Sequence, residues 1–562
     1  MNDELVQAPT SADYYPKRQD SRVEMVRPET SFLEFFKQSL LYTSAYCADS
    51  KCCSFFDDDV IVEGHAAPAQ DASALTLRYP LLLFAELQDL PPRATMHNLL
   101  KICQSEVVPS LPFLSSISAV VADQEKVPFH LRICKALAGA ATSRDHETRK
   151  LADRLWQPCA SLVTGTVAVD NSLGRVTDWL SAATLLITVG VMQSNLAWWR
   201  QTDCINGYLQ TTLCRQGYPL KSPASANVQA LEREVASLRC FYFIVDTLRS
   251  IHVQTPSTVD PTWSVKIGKS AQYDLKDLCE GLILEGRSLP SDIRADEHLL
   301  VLFVILSTIN TLFSSLGPLT SASWTTRQKL SSRTDIITQL DLGPSVISIN
   351  PFVPLSVDRE FKQLSNNLDQ ALDSCKVALE GGGPGHRTAT QTAYGTLLPL
   401  LNFSKLLLAA GPCVFTLPSL SGYTSEPHEF PTATGPRPLA PHVVGIHFDE
   451  STVRHAIKIL EAVETLQDTS SGLSAASKKL HRLSPMWYPF ALFYGALVMW
   501  AQMEVDAKQN HSQRLLLSPR RLLQNFHTEL TRVGEDWECA RNMSEVVARL
   551  LNTTTSDSVV AV

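Results

Sequence analysis

Three charged residues seven apart, Glu232, Arg239 and Asp246, run through a strongly apolar stretch, residues 231–252, LEREVASLRCFYFIVDTLRSIH. An acid–arginine–acid row can form ion pairs within its own helix or with a neighbouring one. It can also present charge to an effector or a protein partner. On a helix, consecutive members stand about 10 Å apart along the axis, so an Arg239–Asp246 contact needs the arginine to lean toward one end. The expected arrangement is Arg239 held against Asp246, or against an acid on an adjacent helix, so that the pair sets how the segment docks. A buried pair of this kind costs about 3–5 kcal/mol to break and adds little net stability.

Other chemistry-bearing groups are sparse. Cys47, Cys52 and Cys53 precede Asp57, Asp58, Asp59, Glu63 and His65. They could be a degenerate metal site, but no second half follows, and they read as small residues beside a solvated acidic loop. His442 and His447 lie in a Pro-rich stretch that presets no ligand geometry. The glycines from Gly381 to Gly385 lack the Lys-Ser/Thr that completes a phosphate loop. No GxSxG elbow occurs. The sequence reading is of no catalytic residue, no cofactor and no metal, and the protein is not expected to be an enzyme.

Positioning these residues requires helices. At 100° per residue Leu231, Val235, Leu238, Tyr242 and Val245 form one stripe, and Cys240 to Val245 are apolar throughout, so that helix is expected to be covered on all sides. Further helices are expected at 31–46, 75–90, 96–109, 128–142, 146–165, 173–191, 193–216, 295–313, 361–379, 388–410, 451–467, 487–508 and 519–551. No period-two alternation, dinucleotide fingerprint or repeat appears. The class is all-α, a large multi-helix domain in two packed helical halves. Residues 1–74 form an N-terminal segment with one short amphipathic helix, 75–340 the first half, and 341–562 the second. A weakly patterned link spans 319–356 and a Pro/Gly-rich loop 411–444. Phe241 and Trp500 are the expected core residues of the separate halves.

The chain has 562 residues, 44% apolar and 19% charged, enough to bury a large core. Its 49 Lys and Arg against 57 Asp and Glu leave a net charge of −8, which argues against wrapping nucleic acid by bulk electrostatics. Thirteen irregularly spaced cysteines suggest no disulfide framework and favour a reducing compartment. Residues 179–199, 299–326 and 483–503 are charge-free and long enough to span a bilayer. Their polar and Pro interruptions favour buried core helices, and a membrane-embedded protein is the alternative.

Several motifs resemble the regulatory region shared by fungal-specific transcription factors. The signature helix of that family reads roughly E-x-x-R-R-x-x-Y/W-x-x-x-x-L-D-T/S, and Arg239, Tyr242, Asp246 and Thr247 match it in type and order. Leu238 stands at the first arginine, and the step from Tyr242 to Asp246 is shorter than in the pattern. Residues 31–36 resemble the FLEFF element of members with two-Cys two-His fingers. Residues 107–114 resemble the region's entry, 131–141 its small-residue helix, 176–218 its "A-W … A-x-x-L-G-L" pair, 253–256 with Trp263 its continuation, and 489–501, PFALFYGALVMWA, its late apolar helix. The resemblance implies a nuclear transcription regulator acting through proteins of the transcription machinery, a full-length relative or a small-molecule effector, with homodimerisation open. DNA binding and zinc belong to that family through a zinc module with no counterpart in this sequence, so direct DNA contact is not expected. A cytoplasmic location and an all-α protein of a biosynthetic pathway are the alternatives.

Overall fold

A computed structural model describes residues 90–122, 127–169, 176–214, 228–331, 355–380, 395–423, 448–471, 483–509 and 518–556, with short breaks inside these ranges. The expected helix at 31–46, most of that at 75–90, and the Cys47–His65, Gly381–Gly385 and His442/His447 groups lie outside them, as does the boundary near 340. The described part is all-α, apart from a two-stranded antiparallel ribbon pairing Lys266–Ile267 with Tyr273–Asp274.

The first helices are α1 (Arg93–Ile102), α2 (Phe129–Ala141), α3 (His146–Val169), α4 (Thr177–Met192), α5 (Leu196–Cys214) and α6 (Val228–Val253). Then come α7 (Leu275–Leu284), α8 (Ala295–Ser331), α9 (Leu355–Glu380), α10 (Leu398–Ala410), α11 (Glu450–Ser471), α12 (Tyr488–Gln509), α13 (Pro519–Val533) and α14 (Glu538–Ser556).

Two of these are hubs because their sequences are apolar nearly all round. In α4 every residue but Asp178 is buried, and the helix packs on α2, α5 and α6. In α12 every residue from Phe490 to Ala501 is buried, and the helix packs on α10, α11, α13 and α14. Small residues let other helices close in. A Cβ on Gly139 of α2 would collide with the Leu99 carbonyl oxygen of α1, and one on Gly190 of α4 would collide with Thr202 Oγ1 of α5. The halves are not separate bodies. Helix α8 packs on α6 and also on α9 and α10, and one continuous apolar core runs through both. Phe241 and Trp500 are both fully buried.

Five expectations need correction. The Pro/Gly-rich loop expected at 411–444 opens instead on a 3-10 turn, Pro412–Thr416, and a short helix, Leu417–Leu420, which bury Val414, Phe415 and Leu417. The helix expected at 96–109 changes at Cys103–Val107 into a wider π turn, which accommodates Pro109, whose ring would otherwise strike the Ser105 carbonyl. Helix α7 was not expected, although the Asp274 side chain caps it by accepting from the Lys276 N–H. The link expected from 319 is helical as far as Ser331. The single helix expected at 519–551 breaks between Val533 and Glu538.

Of the three apolar stretches, the first twenty residues of α8, Ala295–Ser314, are long and apolar enough to cross a membrane, and 83% of the most apolar window there is buried inside the protein. Helix α4 is shorter than a span requires.

Candidate functional site

The charged row of α6 is organised differently from its seven-residue spacing. Three signature residues, Arg239, Tyr242 and Asp246, share with Arg249 a stripe of period three and four, as neighbours on one helix face must. Helix α5 presents a matching stripe, Asp203, Asn206, Gln210 and Leu213. The two helices run antiparallel, so the stripes meet as a ladder. Arg249 Nη1 donates to Asp203 Oδ1 at 2.9 Å. The Tyr242 hydroxyl donates to Asn206 Oδ1 at 2.7 Å. Arg239 Nε donates to the Leu213 carbonyl at 3.0 Å.

Asp246 is the centre of this seam and is completely buried. Its Oδ1 accepts from Arg249 Nε at 3.1 Å, from Arg249 Nη2 at 3.0 Å and from the Thr258 hydroxyl at 2.8 Å. Its Oδ2 accepts from the Ser257 hydroxyl at 2.8 Å, the Thr258 N–H at 2.8 Å and the Val259 N–H at 3.1 Å. A carboxylate offers about four lone-pair sites, so these donors leave none free for proton abstraction. The arrangement fixes a helix pair and pins the loop after α6. Gln210 also donates to the Thr258 carbonyl, and Asn310 Nδ2 of α8 donates to the Thr255 carbonyl at 2.8 Å and to Ser250 Oγ at 3.1 Å.

The expected Arg239–Asp246 pair is therefore not formed, because Arg249, three residues on, reaches the carboxylate without spanning two turns. Glu232 is exposed and takes no part in the seam. Trp500 lies on α12, away from the seam, and its buried indole Nε1 has no hydrogen-bond partner among the described residues. Sequence reasoning missed Arg249, Asp203, Asn206, Gln210, Ser257 and Thr258. For the helical ones a signal was present, as polar residues recurring at steps of three and four on both helices. Ser257 and Thr258 lie in the following loop and carried none.

At its C-terminal end α6 enters an aromatic joint. His252 stacks on Trp199 of α5 with ring centroids 4.7 Å apart and meets Tyr423 and Phe490 edge-on at 5.4 and 5.9 Å. Burial holds the imidazole neutral by pushing its pKa down to about 4. The Tyr494 hydroxyl of α12 donates to the Ile251 carbonyl at 3.3 Å, so the seam is continuous with the second half.

Among the described residues no group of three or more His, Cys, Asp or Glu is placed to hold a metal ion. Burial pushes the thiols of Cys103, Cys240 and Cys375 up to about 12, and these cysteines act as small apolar core residues. Comparison of the chain with family models, with characterised proteins and with solved structures finds no match to any of them.

Proposed function

We propose that the chain is a transcription regulator of the fungal-specific kind, acting in the nucleus through contacts with the transcription machinery or with a full-length relative. A small-molecule effector and self-association belong to the same reading, and direct DNA contact does not. One observation carries it. Of the segments that resemble the family's motifs, the paired helices, the late apolar helix and the stretches adjoining the 107–114 and 253–256 motifs meet α6, whereas the 131–141 helix packs on α4, and residues 31–36 and Trp263 lie outside the described residues. Two residues after the 107–114 motif, Ser116 Oγ donates to Ser237 Oγ of α6 at 2.9 Å. The paired-helix motif supplies α4 and α5, and the loop that follows the signature is the one Asp246 holds. Motifs that matched by chance would have no reason to meet on one helix.

Tethering the full chain to a heterologous DNA-binding domain in a fungal cell tests this. The expected result is altered transcription of a reporter carrying the cognate sites, relative to the DNA-binding domain alone, with a fluorescent fusion in the nucleus. An unchanged reporter at matched protein level, with the fusion excluded from the nucleus, would overturn the proposal.

A further inference from the structure

The two halves also meet through a polar latch. The turn between α13 and α14 carries Asp536, 2% exposed, whose Oδ2 accepts the Ser484 N–H at 2.8 Å and the Ser484 hydroxyl at 2.7 Å. Trp537 Nε1 donates to the Ser484 carbonyl at 2.8 Å. One residue earlier, the Leu483 N–H donates to Ser110 Oγ of the first half at 3.0 Å. From the start of α3, Arg149 donates to the Glu535 carbonyl and lies 3.6 Å from Glu538, while Arg144 stands 3.4 Å from Asp536 Oδ1. Behind the latch, Trp537 closes a small apolar cavity of about 10 Å³ with Val107, Leu111, Ala138, Leu185 and Met192. That is room for about one water. Residues 483–485 belong to no helix or strand, Ser484 is half-buried, and Pro485 follows it.

We propose that Ser484 is a phosphorylation site for a proline-directed protein kinase, and that its modification opens this latch. Ser484 Oγ attacks the γ-phosphorus of a nucleoside triphosphate. The new O–P bond forms as the bond to the β-phosphate oxygen breaks, the hydroxyl proton passes to the kinase's base, and the diphosphate leaves. The Ser484–Pro485 dipeptide on non-helical backbone suits a kinase that binds its substrate extended. The product replaces a donor with a group of charge about −1.5 to −2. It lies against a carboxylate that has only 3% side-chain exposure. Repulsion pushes the turn away from Ser484. Arg144, with 52% side-chain exposure, can swing to the phosphate and abandon Asp536. Ser518, also followed by proline, is exposed at the start of α13, outside this latch, so it is a built-in control.

The test treats the full chain with ATP and a proline-directed kinase, maps phosphate by mass spectrometry and follows amide hydrogen exchange. Phosphate on Ser484 is expected, with exchange at residues 534–538 faster by about tenfold or more as the turn opens locally. Asp536→Asn, which removes the repelling charge, should blunt that acceleration, and Ser484→Ala should abolish it. Phosphate on Ser518 but none on Ser484 would overturn the site. Phosphate on Ser484 with unchanged exchange at 534–538 would overturn the switch.

Discussion

Asp246 and Asp536 are both carboxylates shut away from water, 0% and 2% exposed, and each gathers a backbone N–H and a serine hydroxyl from another segment. Their arginines differ. Arg249 shows 7% of its side chain and grips Asp246 through two nitrogens, whereas Arg144 shows 52% and approaches Asp536 at 3.4 Å. A buried ion pair with every lone pair used has no partial exit, because removing either member strands the other in low dielectric. A pair with one half-exposed member can dissolve by giving that member to water. The same residue types thus make a permanent joint in one place and a releasable one in the other.

The largest effects should separate the two. Arg249→Ala leaves the Asp246 charge buried without its cation, and should cost about 3–5 kcal/mol in denaturant unfolding. Arg144→Ala removes a screened contact and should cost below about 1 kcal/mol. Equal losses would end the distinction. Arg239→Ala sharpens it further. The resemblance gives Arg239 the signature role, but in the structure it donates to a backbone carbonyl, and its loss should cost less than that of Arg249.

This exchange of roles shows what was legible beforehand. The class was, because α4, α6 and α12 are apolar over several turns and no strand could carry such runs. The coverage of Cys240 to Val245 followed from the same pattern, and the structure extends it to Ile251. The seam was hidden by the period chosen. A step of seven gave Glu232, which is exposed, while steps of three and four give Arg249, which is not. The break between α13 and α14 had no local signal beyond Gly534. It is held by Ser484, about fifty residues away in sequence, and long-range bonds of that kind override local propensity. Asn310 was visible only as an interruption in an apolar helix. Its role, satisfying the Thr255 carbonyl, needs the loop that Asp246 holds. Helix α7 is a different case, since its Asp274 cap and its apolar spacing were in the sequence.

The aromatic joint gives an acid-sensitive version of the comparison. His252 titrates near 4 in the folded chain against about 6.5 unfolded. The unfolded chain therefore binds the proton more readily. The contribution is complete above the unfolded value and is lost as pH falls from about 6.5 toward 4, by up to about 3 kcal/mol. His130 and His455 act in the same direction, each also pushed down to about 4. His252→Gln should flatten the fall of stability between these pH values, measured by denaturant unfolding at each pH. A fall of unchanged steepness would place the acid sensitivity at the other histidines that burial pushes down, His130, His298 and His455.

Asp178 should show a smaller effect than His252, with the opposite sign. It is the one residue of α4 outside the buried set, yet its carboxylate is far from fully solvated. Burial, and then the neighbouring Glu234 charge from α6, raise its pKa to about 6. Here the folded chain holds the proton more tightly than the unfolded one. The stabilising contribution is complete below about 4 and is lost as pH rises through about 6. At neutral pH the ionised carboxylate then works against folding. Asp178→Asn should remove that penalty and raise stability at pH 7 by about 1–2 kcal/mol. Against it stands the favourable charge of an acid in the first turn of a helix, worth about 0.3–1 kcal/mol, which the substitution forfeits. The two terms have different pH dependence. At pH 4, where Asp178 is protonated in the folded chain, the gain should vanish. Unfolding curves for both proteins at pH 4 and pH 7 decide the matter. A gain at pH 7 that persists unchanged at pH 4 would mean that the substituted amide packs better for reasons unconnected with charge, and that Glu234 does not repel this end of α4.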